Sequence, residues 1–160
     1  MTQVVIVLDT DFLSAFLKID RLPLVRELYS AEILLVPPAV YREISCTQLV
    51  EALADLSWIR VEAPEAGSIR LGEVPALGSG EREAIALAGQ HENALLLTND
   101  NRAREAAEAV GLRAVDIPAF LLSCKQSGIL DREEIQRIIQ ALWDKDHYRF
   151  RKEVLDLLMR

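Results

Sequence analysis

The chain has 160 residues, of which 51% are hydrophobic, and it carries a formal net charge of −7. This size and composition predict one domain with an ample apolar core, and they exclude an intrinsically disordered chain. The negative charge argues against a protein that coats nucleic acid through bulk positive charge, but it leaves room for a local group of acids.

Strand and helix patterns alternate along the chain. A continuous apolar run predicts a buried strand at 4–8. Further strands are predicted at 32–37, 58–63, 94–98 and 112–117. Apolar residues at helical spacing, with Pro, Gly or Asp at the ends, predict helices at 11–20, 22–29, from 37 onward, 48–56, 81–90, 99–110, 118–126, 133–142 and 148–158. The alternation predicts an α/β fold with a parallel sheet. Residues 131–160 are expected to form a helical extension of the domain at 1–130.

Cellular context follows from what the sequence lacks. No apolar stretch reaches the roughly 20 residues that span a bilayer, so no membrane segment is expected. The first residues, MTQ, carry no charged side chain, so we expect no signal peptide. Cys46 and Cys124 have no metal-binding spacing and are expected to be reduced, buried thiols of a cytoplasmic protein.

Four acids lie near strand ends or at helix starts. Asp9 ends the first strand, Glu43 lies in the helix after the second, Glu81 opens the helix after a Gly-Ser-Gly turn, and Asp100 follows the fourth strand. Ligands of parallel sheets bind beyond the carboxyl ends of the strands. Each acid also has a structural alternative: a helix N-cap for Asp100, a favourable helix-dipole position for Glu81 and a solvated helix position for Glu43. Asp9 is hardest to explain structurally, because an apolar strand leads directly into it.

Electrostatics limits what a convergence of these acids allows. Two carboxylates about 4 Å apart repel by roughly 4 kcal/mol at an effective dielectric constant near 20. Several such pairs would rival the total stability of a domain, roughly 5–15 kcal/mol, so protonation or a divalent cation must relieve them. Oxygen ligands without a nearby His or Cys favour Mg²⁺ or Mn²⁺, and such a site suits chemistry on phosphoryl groups.

The flanks of these acids suggest further roles. Arg102 and Arg104 lie in the first turns of their helix, where positive charge opposes the macrodipole, so they are candidates for binding a phosphate backbone. The alternative is a surface pair between Arg104 and Glu108. Thr10 and Thr98, which adjoin key acids, either donate supporting hydrogen bonds or simply favour strand ends.

Three stretches of the chain are similar to a PIN domain. The first half of that domain resembles VVIVLDTDFLSAFLKIDRLPLVRELYSAEILLVPPAVYREI, and its second half resembles LGSGEREAIALA and ALLLTNDNRAREAAEAVGLRAV. FLLSCKQSGIL resembles the continuation seen in a PIN subfamily close to VapC-type toxins. The resemblance covers roughly residues 3 to 130, and it implies a three-layer α/β/α sandwich around a parallel sheet of about five strands.

The resemblance also implies a function. The protein would be a Mg²⁺- or Mn²⁺-dependent endoribonuclease that cuts single-stranded RNA, as the toxin of a toxin–antitoxin pair, with an antitoxin partner and a homodimeric state. The acids that match the family's catalytic and metal-binding positions are Asp9, Glu43, Glu81 and Asp100. Residues expected to support them are Thr10, Asp11, Thr98 and Asp116, of which the two acids depart from the family pattern.

A neighbouring acid, Glu83, competes with Glu81 for a place in the site. Residues two apart on a helix point about 200° away from each other, so both are not expected to bind one ion directly. Glu81, beside the glycine turn, is preferred.

Other interpretations remain at this point. An Asp-Thr-Asp after a strand also occurs in haloacid dehalogenase phosphatases, and response-regulator receivers place acids similarly, but both need a lysine at a later strand end. No predicted strand ends on one of the four lysines, Lys18, Lys125, Lys145 and Lys152. A PIN-like scaffold that is catalytically weak and binds other proteins is a further alternative.

The tail segment HYRFRKE mixes cations with aromatic residues, a pattern that can stack on and neutralise RNA. The same pattern more often belongs to an amphipathic, solvated helix. Residues 125–160 contain eight basic and seven acidic residues, so the sequence predicts no strong basic patch there.

Overall fold

The computed structural model describes residues 3–66 and 77–160. Strands and helices alternate along the chain, as predicted. The strands are β1 (Val5–Leu8), β2 (Leu34–Val36), β3 (Ile59–Val61), β4 (Ala94–Leu97) and β5 (Arg113–Val115). The helices of the described residues are α1 (Thr10–Lys18), α2 (Pro23–Tyr29), α3 (Pro38–Ser45), α4 (Val50–Ala54), α5 (Ser79–Gly89), α6 (Asn101–Ala109), α7 (Ile117–Gln126), α8 (Arg132–Asp146) and α9 (Lys152–Leu158).

The five strands form one parallel sheet in the order β3-β2-β1-β4-β5. Strand β1 is central, and its Val7 lies opposite Leu35 of β2 and Leu96 of β4. The chain moves outward from β1 to β3 on one side and then returns to β4 and β5 on the other. The direction of strand addition therefore reverses between β1 and β4, which is the position where open α/β sheets bind ligands.

Helices cover both faces of the sheet, so the predicted three-layer α/β/α sandwich is confirmed. Successive strand residues point to opposite faces. Ile6 and Leu8 accordingly pack into one apolar cluster with the helices α1 and α7, and Val7 packs into a second cluster with α5 and α6. In the larger cluster, Phe12 and Phe16 of α1 contact Phe120 of α7 edge to face, with ring centroids 5.6 and 5.3 Å apart, which joins these two helices on one face of the sheet.

Three strands are followed within three residues by an aspartate that caps the next helix. Asp9 follows β1 and precedes α1, Asp100 lies between β4 and α6, and Asp116 lies between β5 and α7. Each carboxylate accepts a hydrogen bond from a backbone N–H of the first helical turn, which satisfies a donor that has no partner within the helix. The local sequence thus places carboxylates at the carboxyl edge of the sheet.

The tail departs from the prediction at two helix ends. Helix α8 extends to Asp146 rather than 142, because the residues after 142 include no Pro or Gly, and it ends at His147 in a left-handed conformation with φ 54°. Helix α9 begins at Lys152 rather than 148. Residues 147–151 therefore form a link, in which the rings of Tyr148 and Phe150 contact each other edge to face.

The structure also bears on the two cysteines and on the expected absence of a membrane segment. Cys124 is buried as predicted, but Cys46 is exposed, because it lies at the end of α3 rather than in the core. Among the described residues, no helix combines the length and apolarity needed to cross a membrane.

Candidate functional site

An acidic cleft of about 330 Å³ opens at the carboxyl edge of the sheet. The structure brings all four predicted acids to this cleft, together with the neighbours of Asp9. The lining residues are Asp9, Thr10, Asp11, Ser14, Glu43, Glu81, Asp100 and Asp146. None of these described lining residues is basic, so the cleft concentrates negative charge.

Asp9 is the most buried acid of the cleft, with only 2% of its surface exposed. Its Oδ1 accepts a hydrogen bond of 2.8 Å from the backbone N–H of Thr10, and its Oδ2 accepts one of 2.6 Å from Thr98 Oγ1. Burial raises the pKa of Asp9 to about 7, and the charges of Asp11 and Glu81 add to the rise, whereas the two hydrogen bonds oppose it. Asp9 is thus held firmly in an environment that disfavours its charged form.

Thr98 lies behind the cleft rather than in it. Its side chain is fully buried, and its hydroxyl both donates to Asp9 and accepts a bond of 3.2 Å from the backbone N–H of Asp100. Asp100 is fixed in turn, because its Oδ1 accepts from the backbone N–H of Ala103 at 3.0 Å. The hydroxyl of Thr98 therefore connects the carboxylate of Asp9 with the backbone N–H of Asp100.

Asp11 projects from the first turn of α1 toward the loop after β4. Its Oδ1 accepts hydrogen bonds from the backbone N–H groups of Phe12, at 2.8 Å, and Asn99, at 3.2 Å. Although Asp11 still reaches solvent, partial burial raises its pKa, and the charges of Asp100 and Glu81 raise it further. Asp11 therefore adds to the unrelieved repulsion in the cleft.

The close approach of α5 to α3 and α1 sets the position of Glu43 and Glu81. Gly80 is buried, and a Cβ atom built on it would lie 2.7 Å from Glu43 Oε1 and 3.3 Å from Thr10 Oγ1. Only a hydrogen atom fits there without movement. Thr10 Oγ1 is itself buried and, in the described residues, has no hydrogen-bond partner. The backbone N–H of Thr10, not its hydroxyl, bonds to Asp9.

Glu83 lies away from the acidic cleft, as the helix geometry predicts. Its Oε1 accepts a hydrogen bond of 3.3 Å from the backbone N–H of Ala39, and its Oε2 lies 3.6 Å from Arg42 Nη2. Glu83 thus accepts a hydrogen bond from a backbone N–H in the first turn of α3, whereas Glu81 lines the cleft.

Three other candidates do not line the cleft. Asp116 caps α7, and its Oδ2 accepts a hydrogen bond of 2.8 Å from Arg104 Nη1. Arg104 also donates to Asn101 Oδ1 at 3.2 Å, so its partner is Asp116 and not Glu108. Arg102 is exposed on α6.

Two residues of the cleft were not predicted. Ser14 lies four residues after Thr10 on α1, so the helical spacing offered a signal for it. Asp146 ends α8, far away in sequence, and it accepts a hydrogen bond of 2.7 Å from Lys18 Nζ. That ion pair shows that α8 packs against α1 at the edge of the cleft, and no local pattern indicates it.

The donor set of the acidic cleft fits a hard divalent cation in type and in charge. All candidate ligands are oxygens, which Mg²⁺ and Mn²⁺ prefer. Burial is the main cause of the raised pKa of Asp9, and a cation would offset the smaller contribution from the charges of Asp11 and Glu81. The carboxylates, however, lie too far apart to hold an ion together. Within residues 3–66 and 77–160, no three His, Cys, Asp or Glu side chains are grouped closely enough to hold an ion as they stand.

Comparison with known proteins places the chain in a family. The family model DUF3368, described as a PIN domain, matches residues 5–160. No curated protein matches the chain significantly. The match covers nearly the whole chain, and the parallel five-stranded sheet is consistent with it. The chain therefore belongs to the PIN-domain family.

Proposed function

We propose that the protein is a Mg²⁺- or Mn²⁺-dependent endoribonuclease that cuts single-stranded RNA at the acidic cleft. PIN domains are generally nucleases and generally use divalent metal ions. The observation that carries the proposal is the gathering of Asp9, Glu43, Glu81 and Asp100, which are distant in sequence, along one cleft at the point where strand order reverses.

In this proposal, the role of each acid in metal binding depends on how firmly its side chain is held. Asp9 is buried and fixed by two hydrogen bonds, so it serves as the main ligand. Asp100 is fixed by its helix cap. Glu43 and Glu81 have longer side chains at a less buried rim, so they can move toward an ion. When bound, a divalent cation would polarise the scissile phosphate, activate a water and steady the leaving oxygen.

Thr98 acts as a positioning residue in this proposal. A hydrogen bond to a ligating carboxylate fixes its orientation and favours its charged form. The 2.6 Å bond from Thr98 Oγ1 to Asp9 Oδ2 fits that role, because it lowers the pKa of a carboxylate that burial otherwise raises.

The biological setting is part of the same proposal. The similarity of FLLSCKQSGIL to a subfamily close to VapC-type toxins supports a cytoplasmic toxin that an antitoxin restrains and that forms a homodimer. A small upstream reading frame that encodes a DNA-binding protein would support the toxin role. The alternative within this function is a housekeeping nuclease.

A second candidate function is a PIN-like scaffold that binds other proteins and cuts nothing. One observation favours it: the acidic side chains of the described residues are not grouped for an ion as they stand. Stabilisation by Mn²⁺ separates the two candidates, because a ligand stabilises a protein only if the folded state binds it.

The test is cleavage of single-stranded RNA by purified protein with Mn²⁺, compared with the same reaction in EDTA. Asp9→Asn should abolish cleavage and leave the folded structure intact. Asp156→Asn, which also removes one aspartate charge but lies exposed on α9, is the matched control and should cut normally. Undiminished wild-type cleavage in EDTA would refute the metal-dependent mechanism.

A further inference from the structure

A second cavity, of about 240 Å³, lies beside the acidic cleft and has the opposite charge. We call it the arginine pocket. Three of its lining residues are arginines, whereas its carboxylate is that of Asp116. The residues used in the argument are Asn99, Arg104, Asp116, Tyr148, Arg149 and Arg151.

The two cavities share their walls. In the loop after β4, Asn99 lines the arginine pocket and the next residue, Asp100, lines the acidic cleft. Asn99 also donates its backbone N–H to Asp11 in the cleft, at 3.2 Å, and its Oδ1 accepts a bond of 3.4 Å from the hydroxyl of Tyr148 in the pocket. At the end of α8, Asp146 lines the cleft, and the 147–151 link continues into the pocket. The two cavities are therefore adjacent, since consecutive residues of one loop line them.

The charge of the arginine pocket is not cancelled internally. Arg104 pairs with Asp116 at 2.8 Å, so those two side chains neutralise each other. In the described part of the chain, neither Arg149 nor Arg151 has a carboxylate within salt-bridge distance. Two arginines without an acidic partner therefore line this cavity in a protein with a net charge of −7, and Arg149 also borders the adjoining cavity that Trp143 lines.

Arg149 is also held in place before any ligand binds. Its guanidinium carbon lies 4.6 Å from the ring centroid of Trp143, a cation–π contact that restricts the long side chain. The planar guanidinium suits a phosphate group, to which it can donate two parallel hydrogen bonds. A fixed guanidinium loses less conformational entropy when it binds than a free one.

We infer that the arginine pocket binds two backbone phosphates of a single-stranded RNA whose scissile phosphate lies in the acidic cleft. The inference rests on the proposed nuclease function for the position of the scissile group. Arg149 and Arg151 are the binding residues, and Trp143 positions Arg149. The pocket offsets the repulsion that the acidic cleft exerts on an anionic strand, and it sets the direction in which the strand crosses the protein.

The test measures the affinity of a short, fluorescein-labelled single-stranded 2′-O-methyl RNA by fluorescence anisotropy over a range of salt concentrations. The 2′-O-methyl groups block attack by the 2′-hydroxyl, and EDTA in the buffer removes the metal that would activate a water, so binding is measured apart from catalysis. The Arg149→Ala/Arg151→Ala variant should bind about tenfold more weakly. Its plot of log affinity against log salt should become shallower by about 1.4, because two phosphate contacts are lost. Arg151→Ala alone, at an exposed position, should show about half the change in slope.

The matched control is Arg132→Ala/Arg137→Ala, which removes the same charge from exposed positions on α8 and should bind like the wild type. An equal loss of probe affinity in both double variants, or no loss in either, would overturn the inference. If neither variant loses affinity, an acidic protein becomes the alternative ligand of the arginine pocket. If the wild type shows metal-dependent cleavage but Arg149→Ala/Arg151→Ala binds the probe as tightly as the wild type, the inference is refuted and the nuclease function stands. Arginine-dependent binding without any cleavage would refute the nuclease function alone.

Discussion

The hydroxyl of Thr98 donates a 2.6 Å hydrogen bond to Oδ2 of Asp9. These two residues directly follow the neighbouring strands β4 and β1, and both are buried. The same hydroxyl accepts a bond from the backbone N–H of Asp100. A single polar atom therefore couples two candidate ligands, at the edge of the sheet where the strand order reverses.

Removal of that hydroxyl should change the pH dependence of cleavage. In Thr98→Val, Asp9 loses a hydrogen bond that lowers its pKa, so its pKa should rise above about 7. A metal ligand must be ionised, so the acidic limb of kcat/KM against pH should move up by about one pH unit. Thr98→Ser keeps the hydroxyl and should keep the wild-type profile. Identical profiles for the valine and serine variants would show that the bond does not tune Asp9.

Asp9 should also make the metal-free protein less stable as the pH rises. Its pKa is 3.8 when unperturbed and about 7 in the folded protein, so the folded state binds the proton more tightly. Stability therefore falls between about pH 4 and pH 7, and the loss at higher pH is about 4 kcal/mol. Divalent metal should restore it.

The measurement is urea unfolding in EDTA at several pH values, with the wild type compared with Asp9→Asn. Asparagine stays neutral, so it lacks this loss, and the wild type should fall below the variant as the pH increases. The difference between the two proteins isolates Asp9 from the other carboxylates. Two parallel stability curves would contradict the raised pKa.

Two glutamates on α5 provide a matched test of metal binding. Glu81 lines the acidic cleft, whereas Glu83 bonds to the start of α3. Mn²⁺ at about 100 times its Kd should stabilise the wild type by about 2.7 kcal/mol. Glu81→Gln should reduce that gain at the same Mn²⁺ concentration, and Glu83→Gln should not. Thermal unfolding with and without Mn²⁺ measures both, and equal responses of the two variants would exclude Glu81 as a ligand.

Much of the fold was predictable because its local signals agree. A continuous apolar run followed closely by an aspartate marks both β1 with Asp9 and β4 with Asp100, and each aspartate caps the helix that follows the strand. The order of the strands in the sheet was not predictable, because it depends on contacts between residues distant in sequence. The end of α8 was missed because no Pro or Gly interrupts the helix before His147.

In the candidate site, too, residues marked by local signals were predictable, and residues placed by distant contacts were not. Asp9 and Asp100 could be named because strand ends share one edge of a parallel sheet. Asp146 could not be named, since it reaches the cleft only through the packing of α8 on α1, where it meets Lys18. The partner of Arg104 was also missed: the helical spacing suggested Glu108, but Arg104 pairs at 2.8 Å with Asp116, which follows β5.

Gly80 should matter to function more than to stability. In Gly80→Ala, the new Cβ would meet Glu43 Oε1 at 2.7 Å, and this atom is the far end of a flexible side chain that can move at little cost. Alanine also favours a helix over glycine by about 0.5–1 kcal/mol, so the free energy of unfolding should change by less than about 1 kcal/mol.

The displaced Glu43 would then lie away from the other acids, so Gly80→Ala should weaken both the stabilisation by Mn²⁺ and the cleavage of single-stranded RNA. Ser79→Ala, at the neighbouring exposed position of α5, is the control and should leave both unchanged. Wild-type cleavage by Gly80→Ala, at wild-type stability, would show that Glu43 is not needed where the structure places it. A loss of cleavage that Glu43→Gln reproduces would assign the effect to this carboxylate.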